Sequence, residues 1–174
     1  MTGRVLVAGV GNIFLSDDGF GVEVIRRLQE RGGLPEDVEI VDVGIRGMHL
    51  AYQLLDGYHA LVLVDATRRG GVPGTLYALE HDLDAPTDGT AALDAHGMEP
   101  GAVLALLDGL ATSMGIERPV KRVLVVGCEP GALDEAMGLS APVAAAVEPA
   151  LELVVDLTNQ LLDNRILTRE GTLR

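Results

Sequence analysis

The 174-residue chain has no tryptophan, and aromatic residues make up only 3% of it. Since 48% of the residues are apolar, the core must be built mainly from Val, Leu, Ile and Ala. Cations are scarce as well: 13 Lys and Arg stand against 26 Asp and Glu, a formal net charge of −13. That balance excludes the clustered basic surface that phosphate backbones require, so no nucleic-acid partner is expected. The single cysteine, Cys128, excludes an internal disulfide and fits a reducing compartment. No apolar run reaches the roughly 20 residues of a membrane span. The start Met1-Thr2-Gly3-Arg4 leads into a strand rather than a signal sequence, and the expected location is therefore cytoplasmic, with no membrane partner. Repeats, low-complexity segments and interdomain linkers are lacking, which leaves one α/β domain over residues 1–174 with a polar, frayed tail from about Thr168.

What is present is organised around Val5 to Leu28. A short apolar run enters the turn Gly9-Val10-Gly11-Asn12, the acids Asp17 and Asp18 follow, and Phe20, Val24, Ile25 and Leu28 then recur at helical spacing. Gly32, Gly33 and Pro35 stop that helix. A β-branched run from Val38 to Val43 passes through Asp42, a short helix lies within Met48 to Asp56, and the apolar run Ala60 to Val64 ends at Asp65. Alternating strands and helices predict parallel strands, with ligands bound at their carboxyl ends. The stretch Ala66 to Gly74 is too short for a crossover helix, so the strand Thr75 to Glu80 is expected to run antiparallel, giving a mixed sheet. A loop over Asp82 to Thr90, a segment containing His96, a helix from Pro100 to Met114 and a strand from Val120 to Gly127 follow. Ser140 is the expected N-cap of a last helix.

Gly9-Val10-Gly11 first suggests a dinucleotide fold, but Phe14 stands where the third glycine of that fingerprint belongs. Charge argues further. A pyrophosphate docks on a helix N-terminus, where this chain carries Asp17 and Asp18. Two like charges at about 4 Å repel by roughly 1 kcal/mol in bulk water and by several times that when partly buried. The loop suits a cation. An acid at a first helical turn is by itself an ordinary cap, and Asp17 is expected to act as one. Asp18, Asp65 and His96 taken together supply two carboxylates and an imidazole with an open position for water or substrate, as in a working metal site, and mixed O and N ligation suits Zn(II) or Ni(II). Cys128 reads as a small buried hydrophobe, and no Ser or Cys lies in a nucleophile elbow.

The opening VLVAGVGNIFLSDDGFGVEVI, the strand ending LVLVDA, the segment DAHGMEP and the closing VGCEPGALDEAMGLSAPVAAAVEPAL together resemble the [NiFe]-hydrogenase maturation endopeptidases, in the right order over nearly the whole chain. The resemblance implies a three-layer α/β/α, phosphorylase/hydrolase-like fold whose five-stranded mixed sheet has order 2-1-3-5-4, with strand four antiparallel. It implies an enzyme that removes a C-terminal extension from the hydrogenase large-subunit precursor once nickel has been inserted. It also implies metal ligands and catalytic residues at Asp18, Asp65 and His96. The expected ion is nickel, resident or supplied by the substrate, with zinc or cadmium as surrogates. Asp18 departs from the glutamate common in the family and reaches less far. The loop after strand two, Asp42-Val43-Gly44-Ile45-Arg46-Gly47, replaces the family's usual DGGTxG. Asp17, Asp42, Gly44, Arg46 and Gly47 are expected to contact substrate or to support the ligands. The competing expectations are a non-catalytic α/β module that binds nucleotide and a relative that binds the precursor without cutting it.

Overall fold

The structure, a computed structural model, describes residues 3–83 and 100–171. Its five strands are β1 (Val5–Val10), β2 (Val38–Gly44), β3 (Tyr58–Ala66), β4 (Leu76–His81) and β5 (Val120–Cys128). Its helices are α1 (Phe20–Arg31), α2 (Gly47–Leu54), α3 (Pro100–Met114) and α4 (Ala141–Gly171), and a 3₁₀ turn over Ser16–Gly19 precedes α1. The sheet order is β2-β1-β3-β5-β4. β1 pairs in parallel with β2 and β3, and β3 with β5, while β4 runs antiparallel along β5. The expected mixed sheet is therefore present. The glycine-rich connection after β3 carries the chain past the position of β5, so β4 ends at the sheet edge rather than beside β3.

Continuous apolar runs become the central strands because both faces of the sheet are covered. Alternation divides each run between two cores. Val5 and Val7 of β1, Ala60, Val62 and Val64 of β3, and Leu124 and Val126 of β5 pack under α1 and α4. Leu6, Ala8 and Val10 of β1, Leu61 and Leu63 of β3, and Val123 and Val125 of β5 pack under α2 and α3. The result is three layers, with Phe20 the bulkiest fully buried side chain in a core otherwise dominated by Leu, Ile and Val.

Two glycines set how closely α1 approaches this sheet. A Cβ on Gly21 would lie 2.0 Å from the Val64 carbonyl oxygen and 2.5 Å from that of Val10, and one on Gly9 would lie 2.3 Å from Ile25 Cγ1. The close helix–strand packing that a dinucleotide fingerprint assigns to its third glycine falls here to Gly21, ten residues after Gly11. α4 continues through the polar tail to Gly171, as no residue between Thr168 and Glu170 breaks a helix. Among the described residues no helix is long and apolar enough to cross a membrane.

Candidate active site

β1 ends at Val10, and the next residue, Gly11, has a backbone φ of +140°. Any other residue is excluded there, because its Cβ would sit 1.9 Å from the Asp18 carbonyl oxygen. The same point lies 3.7 Å from Asp65 Oδ1, so the β3 carboxylate also reaches the Gly11 turn. Asp18 Oδ2 accepts the Asn12 amide at 2.8 Å, and Asn12 Oδ1 in turn accepts the Phe14 amide at 2.9 Å. Asp65 Oδ1 accepts the amide of Ala66 at 2.8 Å. Asp18 and Asp65, 47 positions apart in the chain, thus both reach the Gly11-Asn12 turn at the carboxyl edge of the sheet.

Asp42 joins the same edge. The β1–β2 register shifts between Gly9 and Val10, pairing Gly9 with Asp42 and Val10 with Gly44, and such irregularities re-aim side chains beside functional sites. Gly44, at φ +56°, accepts the Gly11 amide at 2.9 Å. A Cβ on Gly44 would lie 3.8 Å from Asp42 Oδ1. Arg46 is exposed just before α2, and Gly47 is buried as its first residue.

Asp17 behaves otherwise than its sequence position suggests. Neither the 3₁₀ turn nor α1 has a side-chain cap. The Asp17 carboxylate is fully buried and accepts four hydrogen bonds from the β5–α4 loop: Gly131 N at 2.8 Å, Ala132 N, Ser140 N and Ser140 Oγ each at 2.7 Å. Burial pushes its pKa up, but the Ser140 hydroxyl and the three amides outweigh that and hold it below the ordinary carboxylate value. The expected cap is therefore corrected to a tie between two loops. The expectation for Ser140 changes with it: its carbonyl accepts the Ala144 amide at 2.8 Å, as an N-cap residue's does, while its hydroxyl is directed to Asp17.

His96, the third expected ligand, lies outside the described residues. Among the described residues no group of three or more His, Cys, Asp or Glu is gathered to hold a metal ion, so Asp18, Asp42 and Asp65 do not form an all-aspartate site. The Asp65 carboxylate lies beside Gly11 and the Asp18 carboxylate on the next residue, Asn12. Cys128 is fully buried; burial, with the charges of Asp17 and Glu129, pushes its thiol pKa up to about 11. It is protonated at neutral pH and unsuited to nucleophilic attack.

Three features had little sequence signal. Ser16 has a left-handed backbone at φ +53° and donates its hydroxyl to the Asp134 carbonyl at 2.8 Å. Glu129 is buried and accepts the Arg69 amide at 2.7 Å, tying the loop after β3 to the end of β5. Gly21 could have been suspected only from its spacing after the turn.

A family model described as hydrogenase maturation protease matches residues 22–157, a span that includes Asp65 and His96 and starts just after the acid pair. The chain is 34% identical over 152 residues to hydrogenase 2 maturation protease of Escherichia coli, covering 87% of this chain and 88% of that one. It is also 34% identical over 155 residues to a putative hydrogenase maturation protease of Methanocaldococcus jannaschii, with 87% and 94% covered. Among solved structures, the E. coli hydrogenase maturating endopeptidase HybD matches with a TM-score of 0.71 at 33% identity, over 90% of this chain and 93% of that chain. A hydrogenase 2 maturation peptidase from a Thaumarchaeota archaeon matches with a TM-score of 0.67 at 33% identity, over 90% and 98%. Sheet order and these likenesses agree, and the chain belongs to the hydrogenase maturation protease family.

Proposed function

We propose that this chain removes the C-terminal extension of a [NiFe]-hydrogenase large-subunit precursor after nickel insertion, and that Asp18, Asp65 and His96 are its catalytic ligands. The observation that carries this reading is that one turn, Gly11-Asn12, has the Asp65 carboxylate beside its glycine and the Asp18 carboxylate on its Asn12 amide. A nickel ion brought by the precursor, or a resident divalent ion with zinc or cadmium as surrogate, would supply Lewis acidity toward the scissile carbonyl and its attacking water. The protein's part is to hold two fixed negative charges where that cation arrives, with Asn12 N–H orienting Asp18 and the Ala66 amide orienting Asp65. Asp42, Gly44, Arg46 and Gly47 border the approach of the substrate, and Arg46 is an exposed cation on that side.

Exposed apolar side chains favour a protein substrate. Ile13 and Phe14 follow β1, Ile45 and Met48 follow β2, and Met137 lies in the β5–α4 loop, which is joined to the first by Ala136 N–H donating to the Phe14 carbonyl at 3.0 Å. Apolar groups flanking an acidic centre suit a polypeptide carrying a cation better than a nucleotide. The test is intact-mass analysis of nickel-loaded and nickel-free precursor after incubation with the protein. Loss of the extension from the loaded form alone is expected, and equal cleavage of both forms would reject the nickel requirement. Asp18→Asn and His96→Gln should each abolish cleavage; a variant that cuts at the wild-type rate would remove that residue from the site.

A further inference from the structure

We propose that Asp17 is the positioning residue of this site, its clamp on the β5–α4 loop fixing the 3₁₀ turn that aims the Asp18 carboxylate at the Asn12 amide. A 3₁₀ turn has three residues per revolution, so neighbouring side chains diverge by about 120°. One acid of the pair can thus point into the protein while the next faces the site. All four hydrogen bonds of the Asp17 carboxylate go to residues 131–140. The backbone around it is stitched to the same loop: Ser16 N–H donates to the Ala136 carbonyl at 2.8 Å and Asp17 N–H to the Ala132 carbonyl at 3.0 Å. Ser16 is held in its left-handed conformation between these contacts. Among the described residues the Asp18 carboxylate has a single hydrogen-bond donor, Asn12 N–H, so its direction depends on where its own backbone is held. The clamp also makes the β5–α4 loop, more than 110 residues away in sequence, part of the machinery that sets the site.

The inference rests on Asp18 being a working ligand, as proposed above, and the test separates the two. Asp17→Asn keeps the side-chain shape, but both oxygens now accept, so an amide NH₂ would face a donor in either orientation. Ser140→Ala removes one of the four donors and leaves three amides in place. On nickel-loaded precursor, Asp17→Asn should lower kcat about 100-fold, the scale of a 1 Å misplacement. Ser140→Ala should lower it about tenfold, as one charge-assisted hydrogen bond is lost. KM should stay within about twofold for both, because the groups that bind substrate are untouched. Independently of activity, hydrogen exchange at the Asn12 amide should accelerate in both variants relative to the amides of Val5–Val10, because the Asn12–Asp18 bond loosens locally.

A merely structural Asp17 would lower Tm while leaving kcat per folded molecule and Asn12 exchange as in wild type, and that result overturns the proposal. If Asp17→Asn does not fold, Ser140→Ala decides: wild-type kcat and Asn12 exchange would overturn it. An inactive Asp18→Asn beside fully active Asp17→Asn and Ser140→Ala would remove the positioning role alone. An active Asp18→Asn would remove the functional reading and the inference with it.

Discussion

Adjacent aspartates with opposite assignments show what single residues contribute. Asp18 lies beside Gly11 and Asn12, whereas Asp17 is wholly buried among three amides and a hydroxyl. The sequence singles out both acids, since a strand-to-helix corner is where a ligand is expected, and assigns Asp18 as ligand and Asp17 as helix cap, but it does not show what Asp17 binds. The discriminating contacts lie 114 to 123 positions downstream, and no local pattern reports them. Cys128 makes the converse point. Its burial and the neighbouring Asp17 and Glu129 charges raise the thiol pKa from 9.0 to about 11, which cuts its thiolate fraction at pH 8 about a hundredfold. Iodoacetamide at pH 8 should therefore label the folded protein far more slowly than the urea-unfolded chain, and Cys128→Ala should retain cleavage. Rapid labelling of folded protein, followed by mass spectrometry, would contradict the burial.

Among the elements, β1 and α1 follow from pattern alone: a continuous apolar run covered on both faces, then apolar residues at helical spacing. β4 was legible from pattern as an antiparallel strand, while its place beside β5 came only from the family resemblance, because pairing depends on where the loop after β3 delivers the chain. Gly21 was silent in sequence for a similar reason, since its constraint is the nearby carbonyls of Val10 and Val64. Two effects oppose each other at this position. Alanine is favoured over glycine inside a helix by about 1 kcal/mol, while overpacking against backbone that cannot yield costs about 3 kcal/mol or more. Gly21→Ala should therefore destabilise the protein by about 2 kcal/mol and lower Tm by about 4–8 °C in a chain of this size. A rise in Tm, measured by differential scanning calorimetry, would show that α1 does not approach the sheet as described.

For the whole molecule, strand order brings the ends of β1, β2 and β3 together, and with them Asp18, Asp42 and Asp65. Around that acidic centre stand apolar side chains on three loops, with Phe14 61% and Met137 70% exposed. Replacing either by Ser should raise KM for the precursor about tenfold, the effect of losing one well-packed apolar contact. Tm and kcat should be little changed, because neither side chain supports the core; an unchanged KM would place the substrate elsewhere. Acids at strand ends are local features and could be read in the sequence; His96, read as their partner from its residue type, lies outside the described residues. The central claim is that Asp18, Asp65 and His96 share one ion. The direct measurement is a crystal structure grown with Cd(II) or Ni(II), the ion located by its anomalous signal. One ion bonded to both carboxylates and the imidazole at about 2.0–2.4 Å is the predicted result. An ion bound elsewhere, with those three side chains more than about 7 Å apart, would contradict it.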